Sequence, residues 1–159
     1  FSFHSIPTRY FVSGDPYYCF CQGTARAVAE RLGLAAGEWS VAFQSRFGRE
    51  EWLKPYVDVL LKEYARSGPK RLTVVCPGFA TDCLETLEEI NMQDRELFRA
   101  NGGESFEYVP CLNASEAHIG ALEQVVLAHT RGWAPFEGPA DPATLAAARD
   151  RARAMGASN

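Results

Sequence analysis

The run Leu72-Thr73-Val74-Val75-Cys76 is short, apolar and rich in β-branched residues, and it lies between two segments with helical periodicity. Such a run suits a strand covered on both faces, as parallel sheets require. Before it, Leu53, Tyr56, Val57, Leu60, Leu61 and Tyr64 trace one helical stripe. Gly48 and Glu50-Glu51 read as that helix's start, where negative charge complements the dipole, and Ser67-Gly68-Pro69 ends it. After it, a long helix is predicted from about Asp82 to Ala100, closed by Asn101-Gly102-Gly103.

The alternation repeats along the chain. Phe1 to His4 reads as a strand. Ser13-Gly14-Asp15-Pro16 then turns into a helix, with Asp15 as cap and Pro16 at the first helical position. Cys21, Ala25, Val28, Ala29 and Leu32 mark its buried face, and Gly33 and Gly37 stop it. Trp39 to Gln44 alternates as a short strand, and Phe106 to Cys111 is a fourth. A fourth helix spans Ser115 to about Thr130, with Ile119, Leu122, Val125 and Val126 inward. This spacing matches right-handed βαβ crossovers, so the predicted fold is α/β: a doubly wound parallel sheet of about four strands. Residues 1–130 carry the pattern as one domain. Residues 131–159 are expected to form an extension, a Gly/Pro-rich loop plus a short helix.

Composition narrows the function classes. A formal net charge of -4 argues against nucleic acid, which calls for a concentrated basic face. No apolar run reaches the roughly 18–20 residues of a membrane span, and no signal peptide is expected at Phe1, which lacks a charged n-region and a long apolar h-region. The five cysteines are scattered, with Cys19 and Cys21 as C-x-C and Cys76, Cys83 and Cys111 single. That pattern fits free thiols in a cytoplasm and no zinc or iron–sulfur array. Opening within a strand, the chain is expected to be part of a longer protein. Dinucleotide, P-loop and nucleophile-elbow motifs are absent.

In open parallel sheets, ligands bind beyond the carboxyl ends of the strands. That rule gathers His4, Ser45, Arg46, Phe79, Asp82, Glu85 and Asn113 at one edge. His4 is either a loop residue making a backbone hydrogen bond or an imidazole that accepts and passes protons. Glu85 has two readings as well. With Asp82 as N-cap it would close a capping box. Alternatively, Asp82, Glu85 and Glu89 share one helix face and form a carboxylate row able to pass protons or hold a cation. His118 and His129 read as helix surface or packing.

Taken together, Phe1-Ser2-Phe3-His4-Ser5-Ile6-Pro7, Gly14-Asp15-Pro16-Tyr17, Phe43-Gln44-Ser45-Arg46-Phe47-Gly48 with Trp52-Leu53, Val75-Cys76-Pro77-Gly78-Phe79, Asp82-Cys83-Leu84-Glu85-Thr86-Leu87 and Pro110-Cys111-Leu112-Asn113 resemble the C-terminal half of ferrochelatases. The likeness runs from Phe1 to about Val126. It implies one of two similar Rossmann-like, chelatase-like domains, with porphyrin held in a cleft between them, and insertion of Fe2+ into protoporphyrin IX to give protoheme. His4 and Glu85 match the family's active-site histidine and glutamate, for proton abstraction and metal delivery. Glu89 matches the next acid of the row, so His4, Glu85 and Glu89 are the expected transient contacts of Fe2+. Trp52 and Phe79 match aromatics around the macrocycle, and Ser45 and Asn113 are the expected polar contacts to substrate.

The resemblance also implies partners. They are the porphyrin, the protein's own N-terminal domain, and the inner membrane, met peripherally through the missing half. Fe2+ is a substrate, and no tightly bound cofactor is expected. Some members carry a [2Fe–2S] cluster bound partly by C-terminal cysteines; the tail here has none, so no cluster is predicted. Asn91 and Gln93 stand where the acidic row often continues. Coproporphyrin as substrate, cobalt as metal, and a non-catalytic tetrapyrrole-binding half-domain remain as alternatives.

Overall fold

A computed structural model of the chain describes residues 1–133 and 141–158. The four expected strands are present as two parallel pairs. β1 (Ser2–His4) pairs with β2 (Ala42–Gln44), with His4 opposite Gln44. β3 (Arg71–Val75) pairs with β4 (Ser105–Val109) from Arg71↔Ser105 to Val75↔Val109. The helices are α1 (Thr8–Val12), α2 (Tyr17–Leu32), α3 (Val57–Ser67), a π-helix (Glu85–Asp94) continued by α4 (Arg95–Ala100), α5 (Glu116–His129) and α6 (Pro142–Ala154).

Local chemistry sets the helix ends. The Asp15 carboxylate accepts from the Tyr17 N–H at 2.8 Å, and Gly33 closes α2 in the left-handed region at φ 69°. Gly103 lies so close to Phe98 that an added Cβ would stand 2.2 Å from its ring. α1 carries no buried residue and has no counterpart in the hydrophobic pattern.

The helix expected to open at Gly48 begins at Val57 instead. Residues 51–53 run beside residues 6–8. Thr8 N–H donates to the Glu51 carbonyl (2.8 Å) and Leu53 N–H to that of Ile6 (3.0 Å). Backbone groups used in this way are not free for a helix, and Pro55 disfavours helical geometry just before it. Trp52 and Leu53 are buried from this extended segment. β3 is also covered less evenly than expected, since Arg71 and Thr73 are exposed while Val74 is buried.

Two units are recognisable, Phe1–Ala114 and Ser115–Asn159. In the first, two clusters form the core. One joins Val57, Leu61 and Ala65 of α3 to Val74, Ile90, Phe98 and Phe106. The other joins Phe3, Cys21, Ala25, Phe43 and Leu53. Burial of Leu, Ile and Phe side chains contributes roughly 1.5–3 kcal/mol each, so these clusters anchor the strand ends.

In the second unit, Ser115 caps α5 by accepting from His118 N–H. Ile119, Leu122, Val125 and Val126, expected to face inward, are about half exposed (47–56%). Periodicity defines a stripe but does not supply a cover, and none of the described residues of this unit buries it. Of the expected loop, residues 134–140 lie outside the described residues. No helix of the described residues is long and apolar enough to cross a membrane.

Candidate active site at the strand ends

His4 closes β1 and is partly buried. Its Nδ1 lies 2.6 Å from the Ser5 carbonyl oxygen. A carbonyl only accepts, so Nδ1 carries a proton, and in the neutral ring the lone pair is at Nε2. The backbone hydrogen bond expected of a loop histidine is thus present, and it is compatible with a base at the other nitrogen. Trp52 and Phe79 flank the ring, each with its centroid 6.5 Å away. Trp52 is fixed by Nε1–H donation to the Phe47 carbonyl at 2.9 Å.

Glu85 opens the π-helix. Helical winding with i→i+5 bonds is rare and is found frequently at functional sites. The capping-box reading of Glu85 does not hold, because Asp82 lies before the helix and is turned elsewhere. Its carboxylate accepts from Tyr108 Oη (2.6 Å), Asn113 Nδ2 (2.7 Å), Cys111 N–H (3.2 Å) and Thr86 Oγ1 (3.2 Å). Asn113 and Tyr108 hold that carboxyl well below the usual range. Asp82 is therefore not on the face of Glu85 and Glu89; it ties the end of β4 to the helix start. Glu85 is lowered too, chiefly by a hydrogen bond with Cys83 and less by His4.

Glu89 is held from the end of β2. Ser45 donates its N–H to Oε1 (2.7 Å) and its hydroxyl to Oε2 (2.5 Å), and Gln44 Nε2 adds a donor at 3.3 Å. Ser45 does this in the left-handed region, φ 65°, costly for a non-glycine residue. Below Glu89 opens a polar cavity of about 220 Å³, bordered by Arg46, Asp58, Gln93 and Asp94. Arg46 forms a bidentate pair with Asp58 (2.6 and 3.1 Å).

The structure thus brings His4, Trp52, Phe79, Glu85, Glu89 and Ser45 to one edge. Asn113 stands at that edge with its amide engaged by the Asp82 loop, also accepting from Asp82 N–H at 2.8 Å. Two residues were not singled out from sequence. Gln44 lay inside a quoted motif, and a buried amide at a strand end was its only signal. Asp94 is 6% exposed and borders the same cavity. Burial, with Glu89 and Asp58 nearby, pushes it up to about 7. Only the π-helical winding brings this acid to the cavity that Glu89 also lines.

Fold and geometry define an α/β protein with a candidate site beyond its parallel strand ends, where an imidazole with aromatic rings beside it and a carboxylate-bearing helix come to one edge. Residues 1–130 match the family model described as ferrochelatase. The chain is 58% identical over 156 residues to a ferrochelatase of Nitrosococcus oceani, covering 97% of this chain and 42% of that protein. A ferrochelatase of Thioalkalivibrio sulfidiphilus is 52% identical, covering 98% and 42%, and one of Marinobacter nauticus 49%, covering 99% and 44%. This chain belongs to the ferrochelatase family. It spans about two fifths of the length of those relatives.

Proposed function

We propose that this chain is the C-terminal half of a haem-biosynthetic chelatase and supplies the base and the carboxylates for inserting Fe2+ into protoporphyrin IX. The observation that carries this reading is His4, with Nδ1 on the Ser5 carbonyl and Trp52 and Phe79 beside its ring, near enough to Glu85 at the start of the π-helix to help lower that carboxyl. Metal insertion needs two pyrrole N–H protons removed and the metal's water shell exchanged. An imidazole free at Nε2 suits the first step. Carboxylate oxygens and imidazole nitrogen suit the second, as ligands of borderline divalent metals. His4, Glu85 and Glu89 are the proposed transient contacts of Fe2+. Trp52 and Phe79 face the macrocycle, and Ser45 and Asn113 complete the pocket's polar edge. The protein's own N-terminal domain would form the opposite wall.

The test is anaerobic Fe2+ insertion, read as loss of porphyrin fluorescence, in the full-length protein. Metal-dependent loss with wild-type His4, and loss slowed at least a hundredfold in a folded His4→Ala variant, is the expected result. Porphyrin binding without turnover of any divalent metal would move the reading to a tetrapyrrole-binding half-domain.

A further inference from the structure

We infer that Gln44 is the positioning residue that sets the acids of the π-helix at their working distance from His4. The inference rests on the metal-insertion reading above and assigns a role within it. Gln44 is 3% exposed and ends β2, directly opposite His4 in the β1–β2 register. Its amide spans the site. Oε1 accepts from the Ser2 hydroxyl at 2.6 Å and faces the Cys76 thiol at 3.6 Å. Nε2 donates to the Glu85 carbonyl at 2.7 Å and, at 3.3 Å each, to Ser45 Oγ and Glu89 Oε2.

A backbone carbonyl and a carboxylate only accept, so the amide can sit in one orientation alone. One side chain therefore touches β1 through Ser2, and both acids of the row: Glu85 through its peptide oxygen and Glu89 through its carboxylate. His4 stands two residues along β1 from Ser2, so base and acids share a single rigid reference. Such a fully satisfied buried amide specifies geometry more than it adds stability. Methionine would fill the volume but supply no donor, and asparagine would keep the amide one methylene too short.

Gln44→Met and Gln44→Asn are compared with wild type in the full-length protein, with KM and kcat measured separately for metal and porphyrin. The expected result is a rise in metal KM, or a fall in kcat, of at least tenfold, with porphyrin KM within twofold. Combined with Glu89→Gln, the Gln44 variants should add little to the single defect, because the two act together. Kinetics within twofold of wild type in a folded variant, additive defects, or loss of fold in both variants would each overturn the inference and leave Gln44 a core residue. If wild type inserts no metal, the functional reading fails separately. Gln44 is then judged by amide exchange across residues 85–90: tenfold acceleration in the variants supports its role, and unchanged exchange overturns it.

Discussion

The hydroxyl and the backbone N–H of Ser45 grip the two oxygens of Glu89 separately, at 2.5 and 2.7 Å. A strained residue at a strand end thus holds the second acid of the π-helix. Hydrogen bonds to a charged group are worth about 1.5–3 kcal/mol. Ser45→Ala should cost stability in that range and slow metal insertion about tenfold. Ser45→Gly, which relieves the left-handed backbone, should recover part of the stability but not the rate. Denaturant titration beside the fluorescence assay separates the two.

Glu85 contributes no cap. Glu85→Gln should therefore leave the melting temperature within a few degrees while slowing insertion by two orders of magnitude or more, in line with loss of a proton-transfer group. A large drop in stability with intact turnover would restore a structural role.

Asp94 makes stability depend on pH. Its folded-state pKa is raised to about 7, above the unfolded aspartate value near 3.9, so the folded state binds the extra proton. Stability from this group falls as pH rises from about 4 to about 7, and is flat beyond. The full span corresponds to at most about 4 kcal/mol. Asp94→Asn should remove this slope and raise the unfolding midpoint at pH 8 more than at pH 5. Equal changes at both pH values would refute it.

Gly103→Ala probes the turn before β4. The added Cβ would meet the Phe98 ring, which is fully buried. Overpacking of this kind costs about 1–3 kcal/mol. Calorimetry should register a lower melting temperature, and Gly103→Ala with Phe98→Leu should regain part of it.

Hydrophobic period and punctuation made most elements of the first unit legible, because strands and helices bury one stripe whatever they pack against. Asp15-Pro16 and Gly33 marked the ends of α2 for a similar reason: cap chemistry is local. The rule that ligands sit beyond strand ends gathered His4, Ser45, Phe79 and Glu85 before any contact was known. The start of α3 was misread because Trp52 and Leu53 fit a helical stripe and an extended segment equally well. Their partners, Ile6 to Thr8, lie more than forty residues away.

The residue sequence by itself determined the parallel α/β pattern, the candidate base and the candidate acids. Only the tertiary structure decided which acids share a face, that Asp82 serves β4, and that Gln44 connects the acids to β1. Those outcomes depend on hydrogen bonds between residues 26 to 45 positions apart and on a π-helical turn, and neither leaves a periodic trace along the chain.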